Sequence, residues 1–95
     1  MLQPLLFVIV LSNNRRDDVI ACLDSLFQSD YENFQVILLN NISTGDLTAA
    51  VSTKFPQVQI IPLRQNLGYA GNNNVGIQAA LEQSADWIMI LNDDT

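Results

Sequence analysis

The sequence predicts an α/β domain: a parallel sheet of about four strands with helices on both faces. Short apolar runs alternate along the chain with segments of helical periodicity, which is the pattern of a β-α-β-α fold. The first run is apolar at every position, as is typical of a strand buried on both faces. Hydrophobic residues make up 48% of the 95 residues and charged residues 15%, a composition that excludes disorder and fits one domain or part of one.

The strands are predicted from short, mainly apolar runs of four to seven residues. Such runs are too short for a buried helix and match the usual length of a strand. In chain order they are Leu5–Leu11, Val36–Leu39, Val58–Ile61 and Trp87–Leu91.

The helices are predicted from apolar residues at helical spacing. In the first, apolar positions recur from Val19 to Phe27, and Asp17 and Asp18 place negative charge at its N-terminus. The second is expected at 46–55, because the proline that follows disfavours helical backbone in the residue before it. A polar, glycine-bearing loop at 66–74 is expected to lead into the third helix, which ends near Gln83.

The alternation implies a parallel sheet with right-handed crossovers, for which we expect the strand order 3-2-1-4. Strands one and four are then neighbours at the point where the order reverses, and ligands of such sheets bind beyond the carboxyl ends of the strands. Polar side chains collect at these ends of the chain's strands and at the start of the third helix. They are Asn13, Asn14, Arg15, Asn40, Asn41, Asn72, Asn73, Asn92, Asp93 and Asp94.

Two adjacent carboxylates, Asp93 and Asp94, follow the fourth strand. Oxygen ligands of this kind suit Mg²⁺ or Mn²⁺, and such an ion stabilises a departing diphosphate as it gains negative charge. Arg15 could assist from the first loop. The alternative interpretation is that the segment 92–94 only turns the chain or caps a helix.

Composition excludes several other functions. Ten acidic and four basic residues give a formal net charge of −6, the wrong sign for binding nucleic acid. The chain has one cysteine and no histidine, so an internal disulfide and a Cys/His zinc site are excluded, and Cys22 is predicted to pack on the apolar face of the first helix. Trp87 is also predicted to pack. Neither a transmembrane segment nor a signal peptide is found, which predicts a cytoplasmic protein.

Four segments carry patterns that occur in the same order in a known family. They are Val-Leu-Ser-Asn-Asn-Arg at 10–15, Leu-Asn-Asn-Ile-Ser-Thr at 39–44, Asn-Leu-Gly-Tyr-Ala-Gly-Asn-Asn at 66–73 and Leu-Asn-Asp-Asp-Thr at 91–95. Together they resemble the nucleotide-binding half of family 2 glycosyltransferases, which have the Rossmann-like GT-A fold. The last segment is similar to the Leu-Asn-x-Asp-Thr form of the family's metal-binding Asp-x-Asp motif, common in rhamnosyltransferase-like members. The resemblance covers essentially the whole chain.

The resemblance implies a binding site for a nucleoside-diphosphate sugar, here a UDP- or dTDP-sugar. Asp94 matches the family's metal ligand, with Asn92 at the first position of that motif, and Asn40 stands where the family has an acidic residue that hydrogen-bonds the nucleobase. Asn13 replaces the family's usual tyrosine. The implied donor-nucleotide-binding residues are Ser12, Asn13, Asn14, Arg15, Asn40, Asn41, Gly68, Asn72, Asn73, Asn92 and Asp93.

The resemblance also implies that the catalytic base is absent from these 95 residues, since in the family it lies well downstream in the acceptor-binding half. We therefore expect residues 1–95 to be a partial domain, cut at the metal motif and inactive alone. The implied parent is an inverting, metal-dependent hexosyl- or rhamnosyltransferase of polysaccharide biosynthesis, with a glycan or lipid-linked acceptor and a peripheral place at the inner membrane face. The alternative is a non-catalytic α/β module that binds a nucleotide or a metal.

Overall fold

A computed structural model of the chain describes residues 4–12, 16–29, 31–41, 45–63 and 68–92. It has four strands and three helices that alternate, as predicted. In chain order they are β1 (Leu6–Leu11), α1 (Arg16–Phe27), β2 (Phe34–Asn41), α2 (Gly45–Lys54), β3 (Gln59–Leu63), α3 (Gly68–Glu82) and β4 (Trp87–Asn92).

The four strands form one sheet in the order β3-β2-β1-β4. All three neighbouring pairs are parallel, and β1 lies between β2 and β4. The predicted fold class, strand order and strand direction are confirmed. Because all the strands run the same way, their carboxyl ends share one edge of the sheet.

Helices cover both faces of the sheet, as the apolar pattern of β1 predicts. On one face Val8 and Val10 of β1 pack with residues of α1 and α2, among them Leu23 and Val51. On the other face the core is formed by every second residue of the strands, including Ile9, together with α3. Each fully buried aliphatic side chain of this kind stabilises the fold by about 1.5–3 kcal/mol, so these two clusters supply most of the driving force for folding.

Helix α3 packs tightly against the sheet at Gly76. A Cβ atom added there would lie 2.7 Å from Ile9 Cγ2 and 3.3 Å from Leu39 Cδ1, both in the sheet. Glycine in a helix interior costs about 1 kcal/mol relative to alanine. The close contact explains why glycine occupies this position, and it fixes the distance between α3 and the central strands.

The start of α3 differs from the prediction. Residues 66–74 were expected to form a loop, but α3 begins at Gly68 and already includes Asn72 and Asn73. Asparagine and glycine have low intrinsic helix propensity, which is why the sequence pattern indicated a loop. Asn72 and Asn73 are 4% and 3% exposed, so their packing against the protein outweighs that weak local preference.

Helix α3 ends in a Schellman motif. The N–H of Ala85 donates to the carbonyl of Ala80 and the N–H of Ser84 to that of Leu81, both at 3.1 Å. Ser84 has a φ of 65°, the left-handed conformation that this motif requires and that glycine adopts most easily. The motif turns the chain from α3 into β4.

Strand β4 is the least covered part of the sheet. It lies at the end of the strand order, with β1 as its neighbour. Trp87 is 66% exposed, so the prediction that it packs is wrong, and Met89 and Ile90 are also exposed. An outermost strand has a neighbour on one side, which leaves its side chains more open than those of β1. Cys22, by contrast, is half-buried against the α1 and α2 cluster, as predicted.

Within the residues the structure describes, no helix is long and apolar enough to span a membrane.

Candidate functional site

The carboxyl ends of β1 and β4 lie side by side. Leu11, the last residue of β1, is in register with Asn92, the last residue of β4, and with Leu39 on the other side. Ser12 extends this edge, since its N–H donates to the Leu39 carbonyl at 2.9 Å. Ser12 and Asn92 therefore lie at the same edge of the sheet, as the predicted strand order requires.

Buried polar side chains concentrate at this edge. In the described part of the chain, the buried polar residues are Ser12, Asn40, Asn72 and Asn73, each 3–5% exposed. All four belong to the predicted donor-nucleotide-binding set. Because buried polar side chains are uncommon unless they are paired or functional, their grouping singles out this end of the sheet.

Asn40 lies next to the end of β2 and contacts α2. Its Nδ2 donates to Thr48 Oγ1 at 3.2 Å, while its Oδ1 is buried and has no hydrogen-bond partner. A buried acceptor without a partner costs about 1–3 kcal/mol. In Asn40, therefore, Nδ2 is hydrogen-bonded and Oδ1 is not.

Asn73 lies in the first half of α3, three residues before Gly76. Both Nδ2 and Oδ1 of its carboxamide are buried without a hydrogen-bond partner. Residues three apart share one side of a helix, so Asn73 lies on the side of α3 that meets the sheet at Gly76. Two unpaired groups on one buried side chain are hard to explain by folding alone and are typical of a ligand site.

Thr48 is a site residue that the sequence did not reveal. It is exposed, and it lies in α2, eight residues after Asn40. Sequence spacing gives no reason to pair a strand residue with a particular helix residue. The sequence offers one signal for this contact: Thr48 is a polar residue in the first turn of the helix that follows β2.

Several predicted site residues lie outside the described residues. These are Asn13, Asn14 and Arg15 after β1, and Asp93 and Asp94 after β4. For Asn41 at the end of β2 and Gly68 at the start of α3, the structure describes the backbone position only. Asn92, the other predicted metal-motif residue, is half-buried at the end of β4. Among the described residues no three Asp, Glu, Cys or His side chains cluster as a metal site. The site at Asp94 stays a prediction.

One small cavity lies away from this edge. Its volume is about 50 Å³, and it is lined mainly by apolar side chains of β1, β2, β4 and α1, including Leu6, Leu26 and Met89. Its lining has no charged residue, so it offers no positive charge to a phosphate group.

Comparison with known proteins identifies the family. The sequence model of the family described as Glycosyl transferase family 2 matches residues 7–95. The chain belongs to this family.

Related proteins support the same assignment. An uncharacterized glycosyltransferase of Haemophilus influenzae is 37% identical over 90 residues, which are 95% of this chain and 29% of that protein. The galactofuranosyltransferase GlfT1 of Mycobacterium tuberculosis is 30% identical over 90 residues, covering 93% of this chain and 30% of that protein. This member of family 2 thus spans less than a third of the length of these relatives.

A solved structure has the same fold. The mannosyltransferase PcManGT from Pyrobaculum calidifontis, in complex with GDP-Man and Mn²⁺, superimposes with a TM-score of 0.83 at 20% sequence identity. The match covers 98% of this chain and 28% of that one. At this level of identity the likeness concerns the fold, and it confirms the predicted GT-A arrangement of the sheet and helices.

Proposed function

We propose that this family 2 chain is the donor-binding part of a metal-dependent glycosyltransferase. The site holds a nucleoside-diphosphate sugar at the carboxyl edge of the sheet, and the sugar is transferred to an acceptor hydroxyl. The observation that carries the proposal is the pair of buried asparagines, Asn40 and Asn73, whose unpaired polar atoms lie at this edge. A ligand with its own donors and acceptors would satisfy them.

The nucleobase is assigned to the Asn40 side of the site, and the diphosphate to the adjoining ends of β1 and β4. The sequence resemblance supports the first assignment, and the register of Leu11 with Asn92 supports the second. The parallel strands end together there, as they do in other sheets of this type that bind nucleotides. A UDP- or dTDP-sugar is the donor we propose.

A divalent cation fits the donor set of this edge. The carboxamide oxygen of Asn92 and the carboxylate of Asp94 are hard oxygen ligands, the kind that Mg²⁺ and Mn²⁺ prefer. When bound, the ion would neutralise the diphosphate and stabilise it as a leaving group. With a formal net charge of −6, the chain needs such a local positive charge to hold an anionic donor. Arg15 would add a second positive charge.

The remaining chemistry is assigned to the part of the relatives that this chain does not span. Inverting transfer needs a general base within hydrogen-bond reach of the acceptor hydroxyl. We propose that this base and the site for a glycan or lipid-linked acceptor belong to that part. In this proposal residues 1–95 bind the donor without completing the transfer, and the hexosyl or rhamnosyl specificity belongs to the whole enzyme.

Calorimetric titration tests the proposal. UDP-, dTDP- and GDP-sugars are titrated into the chain with and without Mn²⁺, and with Mg²⁺ in its place. We expect at least one donor to bind, about ten-fold more tightly with the metal. Asn92→Ala should reduce this metal dependence, whereas Asn74→Ala, at an exposed position of α3, should preserve it.

Two results would contradict the proposal. One is that no nucleotide sugar binds under any of these conditions. The other is metal-independent binding that Asn92→Ala leaves unchanged, which would favour the alternative of a nucleotide-binding module without the transferase metal site.

A further inference from the structure

We propose that the outer edge of β4 is a self-association surface. Two copies of this chain pair their β4 strands antiparallel there, which joins two four-stranded sheets into one of eight strands. The inference goes beyond the proposed function, since it concerns the last strand of the sheet order and no donor-binding residue. Three observations carry it: the exposure of β4, the contrast between the two outermost strands, and the symmetry of the β4 sequence.

The apolar side chains of β4 are exposed on both faces of the sheet. Met89 is in register with Val8, on the face that α1 and α2 cover, and it is 40% exposed. Trp87 lies on the same face and is more exposed still. Ile90 is in register with Ile9, on the face of α3, and it is 39% exposed. The three side chains expose about 300 Å² of apolar surface, a size at which exposed patches are often functional.

The two outermost strands of the sheet differ in how they are protected. Strand β3 has Gln59 at its start and Pro62 near its end, both exposed. Proline has no N–H to offer a neighbouring strand, and polar or proline-containing edges resist pairing with another chain. Strand β4 has neither a proline nor a charged residue. It is therefore the edge that is open to pairing, and no like charges meet along it when two copies approach.

The backbone of β4 directs hydrogen-bonding groups away from the sheet. The Trp87 N–H donates to the Leu5 carbonyl at 3.1 Å, so the polar backbone groups of Trp87 face β1. These groups alternate in direction along a strand, so the N–H and C=O groups of Ile88 and Ile90 point outward. In an antiparallel pair, Ile88 of one copy exchanges two hydrogen bonds with Ile90 of the other, and this happens twice.

A two-fold axis through Met89, perpendicular to the sheet, satisfies all of these groups. In this register Met89 lies opposite Met89 of the second copy, Trp87 lies opposite Leu91, and Ile88 lies opposite Ile90. Side chains that lie opposite each other share a face, so apolar groups meet apolar groups on both faces. The sequence of β4 is thus complementary to itself, as a two-fold interface requires.

The size of the interface sets its expected strength. Pairing buries about 1,000 Å² in total, which is the lower end for specific interfaces, and we expect a dissociation constant of about 10 µM. Because the paired strands are antiparallel, the carboxyl edges of the two copies point in opposite directions. Each copy therefore keeps its own candidate donor site.

Sedimentation equilibrium of the wild-type chain, from about 1 to about 200 µM, tests the self-association. The average mass should rise from that of one chain to that of two. Met89→Lys and Met89→Glu should each weaken the dimer at least about 30-fold, because the two-fold axis sets like charges directly opposite. An equimolar mixture of these two variants should restore it. Thr53→Lys, at an exposed position of α2, makes a comparable change elsewhere and should dimerise as the wild type does.

Cysteine cross-linking tests the register. Residues opposite each other in a non-hydrogen-bonded antiparallel pair have Cα atoms about 4.5 Å apart, within the range of a disulfide. Met89→Cys, oxidised with glutathione disulfide, should therefore form a covalent dimer on a non-reducing gel. Trp87→Cys, at a more exposed position, should cross-link only when it is mixed with Leu91→Cys. The wild-type chain, whose Cys22 is half-buried, should stay uncross-linked.

Several results would overturn the inference. One is a wild-type chain that is monomeric at every concentration, which would leave the β4 edge to a different partner such as a further strand of a longer chain. Another is a dimer that Met89→Lys leaves unchanged, or one that the Lys/Glu mixture does not restore. Cross-linking of Trp87→Cys alone, without cross-linking of Met89→Cys, would also overturn it. The cysteine variants decide the question if Met89→Lys fails to fold by circular dichroism. None of these results bears on nucleotide binding, which tests the proposed function separately.

Discussion

The two ends of the sheet differ in whether their polar groups have hydrogen-bond partners. At the amino end, the Leu5 N–H donates to Asp86 Oδ2 at 2.8 Å, and the Leu5 carbonyl accepts from the N–H groups of Asp86 and Trp87. The Tyr31 hydroxyl donates to the carbonyl of Pro4 nearby. At the carboxyl end, buried polar atoms of Asn40 and Asn73 have no partner.

This difference distinguishes the polar groups that stabilise the fold from those that we expect to bind a ligand. Paired polar groups at the amino end tie β1 to the start of β4, and the fold alone explains them. Unpaired buried polar groups are kept in proteins mainly where something outside the fold pairs with them, because each costs about 1–3 kcal/mol. We therefore expect a ligand to bind at the carboxyl end of the sheet.

The largest expected effect comes from moving α3, which carries Asn73, away from the sheet. Gly76→Ala puts a Cβ atom 2.7 Å from Ile9 Cγ2, so either the helix or the buried Ile9 side chain must shift. We expect a loss of about 2 kcal/mol in the free energy of unfolding and weaker nucleotide binding. Urea denaturation measures the first quantity. Gln78→Ala, at an exposed position of α3, is the control and should leave the free energy of unfolding unchanged. Equal stability of Gly76→Ala and the wild type would refute the close contact between α3 and the sheet.

The next effect separates stability from binding at the carboxyl end. Asn73→Ala removes two unpaired buried groups and introduces a better helix former, so the free energy of unfolding should rise by about 1 kcal/mol. UDP affinity should fall about ten-fold, because the ligand loses its partner. Denaturation and calorimetry on the same preparation test both parts. A less stable variant with unchanged affinity would mean that Asn73 serves the fold.

The amino end should respond in the opposite way. Asp86→Ala removes the acceptor of the Leu5 N–H and should lower the free energy of unfolding by about 1 kcal/mol. Nucleotide affinity should stay at the wild-type value, since this end lies across the sheet from the site. Asp86→Asn keeps an acceptor oxygen and is the matched control. If Asp86→Ala is fully folded and nevertheless binds the nucleotide more weakly, the proposed difference between the two ends is contradicted.

The smallest effect concerns the turn between α3 and β4. Ser84 adopts a φ of 65°, which glycine adopts without steric cost. Ser84→Gly should stabilise the chain by about 0.5 kcal/mol and raise the melting temperature by about 3 °C. Ser84→Ala, which keeps a Cβ atom, should give no such gain. Thermal unfolding followed by circular dichroism measures the difference, and a lower melting temperature for Ser84→Gly would contradict the assigned strain.

The sheet could be predicted from the sequence because its signals are strong and local. The continuous apolar run of β1 and the helical spacing of α1 each indicate one structure, and the rules of connection leave few strand orders, among them the expected 3-2-1-4. The start of α3 was missed, because the low propensity of Asn72 and Asn73 is overridden by burial that the sequence does not display. Trp87 was expected to pack, although the predicted strand order already placed its strand at the end of the sheet, where it is 66% exposed.

The positions of the candidate site residues in the fold could be predicted, but their contacts could not. Asn40, Asn73 and Asn92 were placed at the carboxyl edge by the rule that parallel strands end together. That Asn40 donates to Thr48, and which of its atoms is left unpaired, depends on side-chain geometry across two elements. The role of Asp94 remains a prediction from the sequence resemblance.

The most direct test of the account is an NMR titration of the ¹⁵N-labelled chain with UDP and Mg²⁺. Backbone signals of Ser12 and Asn92, and the side-chain NH₂ signals of Asn40 and Asn73, should shift together and saturate. Signals of Leu5, Tyr31 and Asp86 at the amino end should stay in place. Shifts confined to the amino end, or no saturable shift at any concentration, would contradict the claim that buried, unpaired polar groups mark the nucleotide site.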